Sequence, residues 1–308
     1  MAKAGTEKVN PNAGGLDLQA PSVILDLLAE AQIEAASVVR AATHSIAAAA
    51  ELAAAKLADG GRLVYAAAGS SGLMALADAL ELPGTYGIAL DRIVILIAGG
   101  QQALVDLAGG PEDDAAQAAA EIAAKGISDG DCVIALSASG TTPYALGALE
   151  EAKRRGAATI GIANNPHTPL TTRADVGIVL ATPPEVIAGS TRMGAGTAQK
   201  IALNMFSTLV AIHLGHVHDG YMVNLKADNK KLLGRAARIV AAITGCAEDD
   251  AARHLDEAGG SVKVATMLAA GARDASHAER ILADAGFRLR PALASLEEGS
   301  ARSRHNGT

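Results

Sequence analysis

A chain of 308 residues has room for one large domain or two modest ones around a sizeable core. Half of its residues are hydrophobic, yet only 2% are aromatic and none is tryptophan, so that core has to be built from closely packed Ala, Leu, Ile and Val. A formal net charge of −7, spread along the chain, argues against nucleic acid or an anionic membrane as partner.

The opening segment MAKAGTEKVNPNAGG has no apolar stretch, so it reads as no signal peptide and residues 1–15 as a mobile arm awaiting a docking surface. No run approaches the ~20 apolar residues of a membrane span. From Ser22 to Ala58 apolar residues recur at three- and four-residue spacing, split near Thr43, and Gly60-Gly61 stops the helix. The period then changes. Apolar strand-like runs occur at 62–72, 92–100, 131–140, 158–166 and 176–182, with helical stretches at 72–80, 113–125, 143–155 and 196–214 between and after them. This alternation predicts an open parallel sheet covered on both faces, a three-layer α/β fold, with ligands bound beyond the carboxyl ends of the strands. After Asp219 only helical patterns remain, broken at 244–246, 259–260 and 285–286. The expected organisation is an N-terminal arm with helices (1–58), an α/β domain (59–222), a small all-helical domain (223–296) and a disordered tail (297–308). Cys132 and Cys246 share no metal-type spacing and read as reduced thiols of a cytoplasmic protein.

Three loops carry the chemistry. AAAGSSGLM (66–74) and SASGTTPY (137–144) each place several hydroxyls between a strand and a helix start. Backbone amides there, with Ser70, Ser71, Ser137, Ser139 and Thr142, can surround a phosphate without a cation; helix capping is the plainer use of the same residues. Neither loop is a P-loop or a full dinucleotide fingerprint. The third, Gly189–Met205, sets small residues around Ser190 and Arg192 and runs directly into a helix. Its first amides are expected to be open to an anion, with the Arg192 fork beside them. Lys200 and Asn204, one turn apart, either line that pocket or bond within the helix. His213, His216 and His218 lie at i, i+3 and i+5, which does not place three ligands on one helical face, so no metal site is expected.

SASGTTP resembles the phosphosugar-binding loop of SIS domains. Together with TEKVNPNAGGLD (6–17), ELPGTYG (81–87), IAGGQQAL (97–104), GGPEDD (109–114), ITGC (243–246) and the Gly189–Met205 stretch, it is similar in order and spacing to the N-acetylmuramic acid 6-phosphate etherase family. The resemblance implies a SIS-type fold and a homodimer with active sites near its interface. It also implies cleavage of the D-lactyl ether of the sugar phosphate in cell-wall sugar recycling, by elimination and then hydration, without metal or organic cofactor. In it Glu81 matches the acid position and Glu112 the base position. Elimination beside a carbonyl needs both roles, and two carboxyls in different environments can divide them.

Several positions depart from the family pattern. Leu73, Thr141 and Gly194 stand where it carries cations, Val9 replaces a commonly basic residue, and Gly84 replaces a proline. Charge-assisted bonds are worth about 1.5–3 kcal/mol each, so these losses predict drift toward a less charged muramic-type sugar. Two other readings stay open: a SIS isomerase of an amino-sugar phosphate, which needs no acid for a leaving group, and a non-catalytic phosphosugar sensor.

Overall fold

The computed structural model describes residues 5–225, 227 and 229–305, the side chains of 300–305 excepted. By its internal contacts the chain divides into two compact units, one of residues 1–80 and 91–210, the other of 81–90 and 211–308.

The first unit opens with α1 (Pro21–Ser37) and α2 (Thr43–Ala58). β1 (Leu63–Ala67) leads into α3 (Gly69–Tyr86), whose last turns cross into the second unit. There follow β2 (Ile93–Ile97), α4 (Ala115–Ala124), β3 (Cys132–Ser137), α5 (Pro143–Arg154), β4 (Ala158–Ala163), α6 (Pro169–Arg173) and β5 (Val176–Val179). The long α7 (Gly194–His213) ends in the second unit. All five strands are parallel, in the order β2-β1-β3-β4-β5. Every residue of β1, β3 and β4 is buried, which is why these strands read as unbroken apolar runs. Val64, Ala66 and Val133 pack with Ala118 and Ile122 of α4 and Tyr144, Ala148 and Ala152 of α5, so small side chains let the helices sit close to the sheet. Tyr65, Ile134 and Ile160 on the alternate strand positions are equally buried, so both faces are covered.

A half-buried ion pair fastens the entry to the sheet. Arg62 meets Asp131 at 2.8 Å and also donates to the carbonyls of Lys125 and Gly126. Burial pushes the Asp131 carboxyl up, but hydrogen bonds from Arg62 and the Ser128 amide outweigh it and hold it below the usual range.

The second unit holds a two-residue hairpin, β6 (Val217–His218) with β7 (Tyr221–Met222), then α8 (Lys230–Thr244), α9 (Glu248–Glu257), α10 (Val262–Ala269), α11 (Ala275–Asp284) and α12 (Leu289–His305). Val240, Leu255, Ala265, Met267, Leu282 and Leu289 form its core. Asn229, Ser261 and Asp274 cap three of these helices through their side chains.

Three boundaries differ from those expected. The second unit takes in 81–90 and begins at Ala211 rather than 223, because the end of α3 is fastened to Asn224, as described below. The segment 297–305, expected as disordered tail, continues α12; 306–308 lie outside the described residues. The expected mobile arm is docked from Gly5 onward: Thr6 is buried, its amide and hydroxyl meet the Asn165 side chain at 3.3 and 3.0 Å, and Asn10 donates to the Pro184 carbonyl at 2.9 Å. Among the described residues no helix is long and apolar enough to cross a membrane.

Candidate functional site

The chain runs from β1 outward to β2, then crosses back to β3 on the other side of β1. Ala67 pairs with Leu136, so the two central strands end side by side, and the Ser-rich turns flank the point where the strand order reverses. This is where an open α/β sheet leaves a crevice.

Beyond β3, Ser137 Oγ lies 2.7 Å from Thr142 Oγ1 and 3.1 Å from Ser139 Oγ, and accepts from the Gly140 amide at 3.1 Å. Thr142 stands at the N-cap of α5, yet its hydroxyl caps no amide of that helix. The hydroxyls therefore gather into one cluster instead of closing the helix. With Pro143 at the first helical position and Leu146 donating to the Thr142 carbonyl, the amides of Tyr144 and Ala145 keep no backbone acceptor among the described residues.

Beyond β1, α3 begins at Gly69, three residues earlier than the sequence pattern predicts, so Ser70 and Ser71 belong to its first turn. Ser71 is buried and Ser70 half-buried. Gly72 donates to the Ala68 carbonyl, while the Ser70 and Ser71 amides have no backbone acceptor among the described residues. Glu112, in the 3-10 turn Gly110–Asp113, reaches this helix head: a Cβ built on Gly69 would stand 2.5 Å from its Oε1. Gly69 also has φ +54°, where a side chain is strained. Burial, and then the neighbouring Asp113 charge, raise the Glu112 carboxyl above the usual range.

The third loop differs from expectation. Glu185, 5% exposed, accepts from the amides of Gly194 and Ala195 at 2.9 and 2.8 Å, and the next two amides of α7 bond to Thr191 and Met193 carbonyls. The head of α7 is thus closed by the chain's own carboxylate and is no open anion site. Ser190 is half-buried in the preceding loop, whereas Arg192 and, on α7, Lys200 are exposed. Asn204 does not bond within its helix; its side chain donates to Asp78 at 2.9 Å. Ser207 and Tyr65 also donate to that buried carboxylate, which ties α3 to α7 and the sheet inside the first unit.

Glu81 lies in the second unit, exposed on α3, which continues past it through Pro83 to Tyr86. It is therefore no helix-end residue. The Asn224 side chain donates to the Tyr86 carbonyl at 3.0 Å, and Gly87, at φ +65°, lies so close to Asn224 that a Cβ would stand 2.1 Å from its carbonyl oxygen. Of the three histidines, His213 ends α7 and His218 lies in β6, and no cluster of metal-ligating residues forms among the described residues. Burial, then the Lys263 charge, lower His216 to about 4. Cys132 and Cys246 are unpaired, and burial pushes the Cys132 thiol up to about 12.

Sequence reasoning missed Glu185, Asn164 and Asn165. Asn164, 1% exposed, accepts from Gln199 at 2.9 Å and donates to the Ala195 carbonyl, while Asn165 donates to the Ala138 carbonyl at 3.1 Å. Together they link the end of β4 to both α7 and the Ser137–Thr142 turn. Paired amides directly after a buried strand were the available signal.

Comparison with known proteins adds an independent line. A model of the SIS domain matches residues 114–214, and one of the glucokinase regulatory protein N-terminal SIS domain matches 45–153. The chain is 43% identical to an N-acetylmuramic acid 6-phosphate etherase of Deinococcus radiodurans, over 95% of this chain and 96% of that one. It is 51% identical to the protein of that name from Symbiobacterium thermophilum, over 72% and 74%, and 40% identical to that of Mycolicibacterium smegmatis, over 94% and 97%. A crystal structure from Bacteroides fragilis, assigned as a phosphosugar isomerase involved in capsule formation, superposes with a TM-score of 0.50 at 20% identity, covering 66% of this chain and 97% of that one. That likeness shows the fold alone.

Proposed function

Because the chain belongs to the N-acetylmuramic acid 6-phosphate etherase family, and is a carbon–oxygen lyase, we propose that Glu112 takes the C2 proton of the sugar and Glu81 protonates the departing lactyl oxygen. The reaction converts N-acetylmuramic acid 6-phosphate to N-acetylglucosamine 6-phosphate and D-lactate. In the open-chain sugar the C2–H bond breaks toward Glu112, the C3–O bond breaks toward lactate, and Glu81 supplies the proton that lactate keeps. Water then adds its hydroxyl to C3 and C2 regains a proton.

The observation that carries this reading is the Glu112 carboxylate held over the open head of α3. A raised carboxyl makes a stronger base. A phosphate would be repelled by that carboxylate, so it belongs in the Ser137–Ser139–Thr142 cluster at the head of α5. The amides of Ser70 and Ser71 then suit the negative charge that develops on the C1 oxygen as C2 loses its proton. Ser190, Arg192 and Lys200 complete the substrate contacts.

A second copy of the chain completes the site in this reading. Glu112 lies against Gly69 in the first unit, whereas Glu81 belongs to the second, and the Glu81 of each site is then supplied by the partner. In support, α1 buries only Ala35, and leaves Val23, Leu25 and Ile33 50–64% exposed. An apolar helix so bare is suited to a homodimer interface. We place the protein in the cytoplasm, in cell-wall sugar recycling. With Leu73, Thr141 and Gly194 at family cation positions, its preference extends to less charged muramic-type sugars.

The deciding experiment measures D-lactate release from N-acetylmuramic acid with and without its 6-phosphate, in wild type and Glu81→Gln. Release that disappears in the variant is expected. Sugar isomerisation that survives Glu81→Gln, without lactate, would move the assignment to an isomerase; no turnover of either kind would leave a sensor.

A further inference from the structure

The loop between β5 and α7 carries Ser190 and Arg192 but has little packing of its own. Ile187, Ala188, Gly189 and Arg192 are exposed, and Val186 at its start is buried. Its internal bonds are short-range turns: Ser190 to the Ile187 carbonyl, Thr191 to Gly189 and Met193 to Ser190. A segment with so few buried contacts opens readily unless its ends are held. Glu185 holds them. It precedes the loop, and its two carboxylate oxygens take one amide each from Gly194 and Ala195, the residues that follow it. No Lys, Arg or His forms an ion pair with it among the described residues. Its charge is instead met by the positive end of α7. The Ala195 carbonyl is tied in turn to Asn164 at the end of β4, so the clasp stands on the sheet.

We infer that Glu185 is a positioning residue for sugar binding, a carboxylate clasp that closes the 186–193 loop into a fixed ring and sets where Ser190 and Arg192 meet the substrate. This rests on the reading of that loop as part of the sugar site. A glutamine cannot replace the clasp fully, because its amide nitrogen faces one of the two N–H donors. Aspartate keeps both oxygens on a shorter arm and restores part of the function.

The test compares wild type, Glu185→Gln and Glu185→Asp in three measurements: initial rates of D-lactate release against N-acetylmuramic acid 6-phosphate, timed trypsin cleavage after Arg192 read by mass spectrometry, and thermal melting. In Glu185→Gln the KM rises about tenfold, or ~1.4 kcal/mol. Its kcat stays within about twofold of wild type, the mark of lost binding rather than lost chemistry. Cleavage after Arg192 quickens while the protein remains folded, and Glu185→Asp lies between. Unchanged KM and unchanged cleavage in a folded Glu185→Gln overturn the inference, as does a fall in kcat at constant KM. If glutamine prevents folding, the same criteria apply to Glu185→Asp. Absence of lactate release from wild type counts against the etherase reading instead, and the trypsin arm then decides the clasp by itself.

Discussion

Glu112 lies against the backbone of Gly69 so closely that a methyl group on Gly69 would stand 2.5 Å from its Oε1. The smallest possible side chain there has two effects at once. It strains a residue at φ +54°, and it displaces the carboxylate from the head of α3. Gly69→Ala is therefore expected to lower kcat by about a hundredfold, the lower range of a lost general base, while melting only a few degrees lower. Steady-state kinetics and calorimetry on the same sample check both parts.

In its proposed role as base, Glu112 has to be ionised to accept a proton. Since burial and Asp113 raise its carboxyl, kcat/KM falls as the pH drops through a value above the ordinary glutamate range. Asp113→Asn removes the like charge that contributes to the rise. The acid limb of the pH–rate profile then moves to lower pH, with the plateau unchanged. A limb that stays in place would show that Asp113 does not act on the base.

Removing the hydroxyl at the centre of the α5 cluster tests the phosphate subsite. Ser137→Ala is expected to raise KM for N-acetylmuramic acid 6-phosphate about tenfold or more, in line with ~1.5–3 kcal/mol for a hydrogen bond to a charged group. The unphosphorylated sugar should show almost no change. An equal loss on both sugars would place the phosphate elsewhere.

Mixing two inactive variants tests the two-copy site. If Glu81 is supplied by the partner, a dimer of one Glu81→Gln chain and one Glu112→Gln chain contains one intact site and one doubly defective site. Random exchange of equal amounts then restores about a quarter of wild-type turnover, because half the dimers are mixed and half their sites work. No recovery after verified exchange would place both carboxyls in one chain.

The Arg62–Asp131 pair governs stability rather than chemistry. Replacing Arg62 with Met leaves a nearly buried carboxylate with fewer donors, and because Arg62 is itself partly exposed the cost is put at about 2 kcal/mol near neutral pH, below the full figure for a broken buried pair. Asp131 is held below its unfolded value, so its contribution is present above about pH 4 and is lost as the pH falls through the lower, folded value. Denaturant titrations should show wild type and variant converging in acid.

The five strands were legible because the three central ones are buried throughout and the two edge ones in part, so each spells a short apolar run, whereas the strand order was not read from the sequence. The two Ser-rich turns were equally plain, since strand, hydroxyls and helix follow within ten residues. What escaped was longer in range. The Gly189–Met205 stretch reads as an open helix head, but whether its amides are free depends on Glu185, whose capping role no local pattern marks. The helical stretch read as 72–80 in fact runs on through Pro83 to Tyr86, whose carbonyl is met by Asn224, 138 residues later in the chain. Alanine-rich helices also hide the limits of units, for they look alike inside and between them.

In a two-copy site α3 is shared property. Its first turn, with Ser70 and Ser71, serves the sugar bound to its own chain, while Glu81 in a later turn serves the sugar of the other. One helix then contributes to two substrates, so in such a dimer damage to a single α3 costs a group in each of the two sites.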